Sequence, residues 1–143
     1  MPIANYSTTV SAIRSMGEID RILVAHGAKG IMTNYNDSGE PTSLSFLIKT
    51  QFGDVAFRLP ANVDNVLAVL NRQGIRKKVE RDMATRVAWR IIKDWVRAQM
   101  AILESEMVTI DQIFLPYMTT GVEGKTIYEI MVANKLALPE GRA

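Results

Sequence analysis

The chain has 143 residues, of which 48% are hydrophobic and 22% charged, with a formal net charge of +2 and a mean hydropathy of +0.04. That is about one domain's length, with enough apolar side chains to bury a core. Cysteine is absent, which excludes disulfides, thiolate metal sites, iron–sulfur clusters and cysteine nucleophiles together. With His26 the single histidine, zinc held by nitrogen and sulfur ligands is not expected either. No run of about 18 apolar residues suggests a membrane span, and "MPIANYSTTV" lacks the basic-then-apolar order of a signal peptide, so a cytoplasmic protein is expected.

In chain order, "YSTTV" (6–10) alternates β-prone residues and predicts a short strand. "SMGE" (15–18) has the form of a capping box. It predicts a helix carrying Ile19, Ile22, Leu23 and His26 on one face and stopped by Gly27. Three alternating segments follow within 29–36, 43–50 and 55–59. They place Ile31, Thr33 and Tyr35, then Leu44, Phe46 and Ile48, then Val55, Phe57 and Leu59 on inward phases. With the turn-rich "NDSGEP" and "QFGD" between them, they read as an antiparallel meander.

Asn62 is a candidate N-cap for a helix with Val63, Val66, Leu67 and Leu70, ended by Gly74. A long helix is expected over about 79–105, burying Ala84, Ala88, Ile91, Trp95, Ala98 and Ile102. "TIDQ" (109–112) and "TIYE" (126–129) are two further capping signatures, on either side of "IFLPY" (113–117). The fold class expected is therefore α+β: a small antiparallel β-meander packed against helices, with a helical C-terminal half containing one long helix. It is one domain over 1–143, sheet-rich over about 6–60 and helical over about 61–135, with 136–143 a loose tail.

Charge is unevenly placed. Between Arg72 and Arg97 stand nine Lys/Arg and three acids (Glu80, Asp82, Asp94), so this segment carries +6 and the rest of the chain −4. Arg86, Arg90, Lys93 and Arg97 are spaced to line one side of a helix. Trp89 adjoins that stripe, and Arg76, Lys77 and Lys78 extend it at the helix start. Cations beside an aromatic suit a phosphate backbone with a base to stack. The plainer alternative is a solvated basic face, partly paired with the chain's own acids.

Other signals carry less. Lys49 and Arg58 share the outward phase of neighbouring strands and could together meet an anion, or simply be surface charges. "GVEGKT" (121–126) has only two residues between its glycines where a phosphate loop needs four, so it reads as a turn into a capped helix. His26 sits where a helix dipole favours a cation, a structural role. Phe114, Leu115 and Tyr117 cannot easily all face one small core, which suggests an oligomer contact.

Three segments taken together, "FRLPANVDNVLAVL" (57–70), "VAWRIIKDWVRAQMAILESEMV" (87–108) and "IFLPY", resemble a family of small proteins encoded by bacteriophages and prophages. The likeness spans roughly residues 6–130. It implies phage-type roles such as replication or recombination accessories, transcription modulators and proteins that blunt host defences. The family has no assigned activity, so it transfers no functional residue.

The reading is a non-enzymatic phage-type accessory, without cofactor or metal, that binds an anionic partner, most concretely nucleic acid. The contact residues would be Arg76, Lys77, Lys78, Arg86, Trp89, Arg90, Lys93 and Arg97. The alternative is a protein that inhibits or sequesters a host protein or nucleotide signal through Lys49, Arg58 and "IFLPY". A homodimer is compatible with either.

Overall fold

The computed structural model describes residues 1–74, 77–120 and 124–135. Its elements are α1 (Ala12–Ala25), β1 (Gly30–Tyr35), β2 (Pro41–Thr50), β3 (Gly53–Pro60), α2 (Val63–Gln73), α3 (Arg81–Glu104), α4 (Ile110–Phe114) and, after a 3-10 turn at Leu115–Tyr117, α5 (Ile127–Ala133). This is the α+β fold the periodicity predicts.

The three strands form one antiparallel sheet in the order β1-β2-β3. Register aligns Ile31, Phe46 and Phe57 in one row and Thr33, Leu44 and Leu59 in the next. Strand alternation sends these rows to one face. There they meet Met16, Ile19 and Leu23 of α1 and Trp89, Ile92, Val96 and Met100 of α3. Phe46 stacks on Phe57 at 5.4 Å between ring centres, and Phe114 meets Phe46 edge-on at 5.5 Å. Trp95 adds edge contacts to Phe114 and Tyr117. "IFLPY" therefore turns Phe114 into the core and leaves Leu115 exposed.

A second core lies on the other side of α3. Val63 and Leu70 of α2 pack with Val79, Met83, Ala84, Val87 and Ala88, flanked by Ile3 and Tyr6. Asn62 caps α2 by accepting from Asn65 N at 3.2 Å, and Gly74 ends it at φ +64°, a left-handed turn suited to glycine.

Two expectations fail near the N-terminus. α1 starts at Ser11, whose Oγ accepts from Arg14 N at 3.1 Å, not at Ser15. The earlier cap adds Ala12 and Met16 to the apolar face and carries Ser15 into the helix interior, where it is fully buried. Residues 6–10 form no strand. The N-terminal arm instead lies against α2 and α3. Ile3 N donates to Gln73 Oε1 and Gln73 Nε2 donates to Met1 O, each at 3.0 Å, and Asn5 Nδ2 donates to Asp94 Oδ2 at 2.8 Å.

Of the expected buried stripe of α3, Ala84 and Ala88 are buried and Ile91 and Trp95 are partly buried against the cores, whereas its last two positions fail. Ala98 and Ile102 are exposed, while Trp89, Val96 and Met100 are fully enclosed. A helix packed between two cores has no single apolar stripe, so the phase read from one half misleads in the other.

Trp89 is 0% exposed and donates its indole N–H to Pro41 O at 3.3 Å. Trp89→Ala is expected to cost about 3–5 kcal/mol in urea unfolding. A loss under about 1 kcal/mol, the cost of a change outside a tight core, would contradict this packing.

Candidate interaction surfaces

The cationic stripe of α3 is where the structure departs furthest from the surface expected. Trp89 is inside the core, so it offers no face to a base. Arg90 Nη1 donates to Glu18 Oε2 of α1 at 2.6 Å, with both side chains about one-fifth exposed. That bond, together with the charges of Arg90, Lys93 and Arg14, holds the Glu18 carboxyl below the usual carboxylate range.

Lys93 is 4% exposed, with Nζ 3.4 Å from Asp94 Oδ1. Burial works to raise Asp94, but the bonds from Asn5 and Lys93 outweigh it and the group is lowered. Arg86 is paired with Asp82 one turn back. Arg97 is exposed and makes no ion pair with a described residue. The expected contact surface is thus corrected at Trp89, Arg86, Arg90 and Lys93. The reason is physical: α1 supplies Glu18 to Arg90, α3 pairs Arg86 and Lys93 with its own Asp82 and Asp94, and Asn5 of the N-terminal arm bonds Asp94.

What remains of the basic surface is the turn between α2 and α3. Arg72, Lys77 and Lys78 are exposed there and form no ion pair with a described residue. Arg76 lies outside the described residues.

Lys49 and Arg58 do face outward, but they do not meet. Lys49 is opposite Asp54 and Arg58 opposite Ser45. That register separates them by four residues along the strands, about 13 Å. Arg58 is also occupied: Nη1 donates to Gly124 O at 2.9 Å, and Nη2 pairs with Glu129. Glu129 completes the capping box at Thr126 that opens α5, and the backbone N–H of Thr126 is the main cause of its lowered pKa. The expected helix after Thr126 is therefore present, and Arg58 ties it to β3. Residues 121–123 of "GVEGKT" lie outside the described residues.

Two features went unread in the sequence. Arg81 clamps three elements: Nε and Nη2 take both oxygens of Glu40 at 2.6 and 2.7 Å, and Nη1 takes Asp64 at 2.6 Å. It walls a cleft of about 430 Å³ floored by Ala12, Ile13, Met16, Tyr35 and Pro41. The second is the solvent side of the sheet. Gly30, Leu47 and Ala56 form one row there and Met32, Ser45 and Arg58 the next; the first row with Met32 and Ser45 lines an open groove of about 330 Å³. Met32 is 59% and Leu47 37% exposed. Strand alternation alone marks these positions as outward, so the signal was available; basic charge drew attention elsewhere. Among the described residues no three His, Asp or Glu side chains are grouped to hold a metal ion, and no helix is long and apolar enough to cross a membrane.

No family model, curated protein or solved structure matches the chain.

His26 has a structural place. Nδ1 bonds the Ile22 carbonyl at 2.7 Å, and Nε2 lies 2.6 Å from Glu104 Oε1, joining the ends of α1 and α3. With Nδ1 donating, Nε2 can donate to Glu104 only when the ring is protonated. Both bonds, that to Ile22 foremost, raise His26 above its ordinary value of 6.5. The folded value exceeds the unfolded one, so this stabilisation is full below the unfolded pKa and lost as pH rises through the folded pKa. The gap in urea midpoint between wild type and His26→Ala should be wider at about pH 5.5 than at about pH 8.5. Equal gaps at both pH values would contradict the pairing.

Proposed function

We propose that the chain is a non-enzymatic, phage-type accessory that acts in the bacterial cytoplasm by binding and sequestering a partner protein through the open face of its sheet. The observation that carries this reading is the uncharged row Gly30, Leu47 and Ala56 with Met32 beside it, left open to solvent. A sheet with one packed face ordinarily turns polar alternates to water. Exposed apolar side chains grouped around small ones are the usual mark of a protein contact. The phage assignment is supported by the resemblance of three sequence segments. Self-association is proposed alongside this reading.

The test is crosslinked capture from a bacterial host lysate, comparing wild type with Leu47→Glu and Ala56→Glu. These two residues face each other across β2 and β3. One specific protein should be recovered by wild type and reduced at least about tenfold by either change, with thermal stability kept. Recovery of no specific protein, or recovery unaffected by both changes, would remove the reading.

The exposed cations Arg72, Lys77 and Lys78 favour a second reading, an anionic partner held at the α2–α3 turn. Without an aromatic platform, nucleic acid bound there would be held by phosphate contacts alone and would dissociate as salt rises. Labelled single- and double-stranded DNA should bind at low salt, and Lys77→Ala/Lys78→Ala should abolish it. No binding at low salt would discard this second reading.

A further inference from the structure

The two edges of the sheet are treated differently. Along β3, Met118 bridges Phe57, and Thr119 donates both its N–H and its Oγ1–H to Ala56 O at 2.9 Å. That edge is covered at Ala56 and Phe57. β1 pairs with β2 on one side, and no described strand or bridge pairs with its other side.

Natural edge strands are commonly guarded by a lysine, a proline, a bulge or a covering element. Gly30–Asn34 has no charge and no proline, and its ladder turns irregular only between Asn34 and Tyr35. Its surroundings are apolar as well. Met32 is 59% exposed, and Tyr35, 57% exposed, shares the Arg81 cleft with Ile13, which is 81% exposed. A row of unsatisfied backbone groups beside exposed apolar side chains is a seat for another strand.

We propose that this seat is taken by a second copy of the chain, with the two β1 strands antiparallel across a two-fold axis at Thr33. Charge selects this occupant and this register. β1 is preceded by Lys29 and followed by Asp37 in the exposed β1–β2 turn. Antiparallel pairing centred on Thr33 lays Lys29 of each copy toward Asp37 of the other, once at each end of the ladder. A parallel arrangement would set like charges together.

The same register puts Thr33 opposite Thr33 and Ile31 opposite Tyr35, cross-strand pairs of favourable type. Lys29 already holds Asp54 at 3.0 Å, but its side chain is half exposed and its ammonium has three donors to share. The contact is isologous and closes on itself. It yields one six-stranded sheet with both uncharged grooves on the same side, so a partner protein would meet a bivalent surface.

This deepens the self-association proposed above and does not depend on the partner-protein reading. Sedimentation velocity of the full chain over a concentration series tests it. Wild type should be a dimer. Thr33→Pro and Asp37→Lys should each raise the dissociation constant at least about tenfold. The second change sits in an exposed turn and does not threaten folding. Adding Lys29→Asp to Asp37→Lys should restore the dimer, because the charges are then exchanged. Leu47→Glu should leave the dimer intact, which separates this outcome from failure of the groove.

A wild type monomeric throughout the series would overturn the proposal, as would a dimer indifferent to both Thr33→Pro and Asp37→Lys. A monomer whose lysate partner is lost with Thr33→Pro would also overturn it, assigning the edge to a different protein.

Discussion

α3 runs between two cores, and this placement sets the terms for the rest of the molecule. On one side it buries Trp89, Ile92, Val96 and Met100 against α1 and the sheet; on the other it buries Met83, Ala84, Val87 and Ala88 against α2. Little of its first half is left for solvent. A charge on such a helix is stable only if neutralised where it stands. Glu18 of α1 answers Arg90, Asp82 answers Arg86, and Asp94, steadied by Asn5 of the N-terminal arm, answers Lys93. The arm and α1 therefore do more than cover apolar surface. α1 carries the acceptor for Arg90, the arm carries the Asn5 amide that bonds Asp94, and α3 itself carries Asp82 and Asp94.

This arrangement redistributes the polarity of the surface. The +6 segment holds part of its charge in ion pairs; among the described residues its exposed cations without an ion pair are Arg97 and, around the end of α2, Arg72, Lys77 and Lys78. The sheet meanwhile turns an uncharged, partly apolar groove to solvent, and no described strand pairs with the outer side of β1. On the helix face that looked most like a binding surface, Trp89 is buried and Arg86, Arg90 and Lys93 are ion-paired, while the outer face of the sheet is open.

The sheet was legible because two signals agreed: period-two alternation in 43–50 and 55–59, and dense turn chemistry between the strands. The caps at Asn62 and Thr126 were legible for the same reason, since each needs only a local hydrogen bond. The cap of α1 was not legible: the sequence pointed to the Ser15 capping box, and packing of Ala12 and Met16 places the cap at Ser11 instead. The phase of α3 was not legible. Its arginines and lysines signal solvent by composition, and nothing local reveals that Glu18, 72 residues away, waits for Arg90. The separation of Lys49 from Arg58 depends likewise on strand register, which alternation alone does not give.

The central claim, that Trp89 beside the cationic stripe of α3 is internal, can be tested with one chromophore. Trp95→Phe leaves Trp89 as the single tryptophan. The account predicts blue-shifted emission, insensitive to iodide and unchanged on adding single-stranded DNA. Red-shifted emission readily quenched by iodide would place Trp89 at the surface and contradict the account.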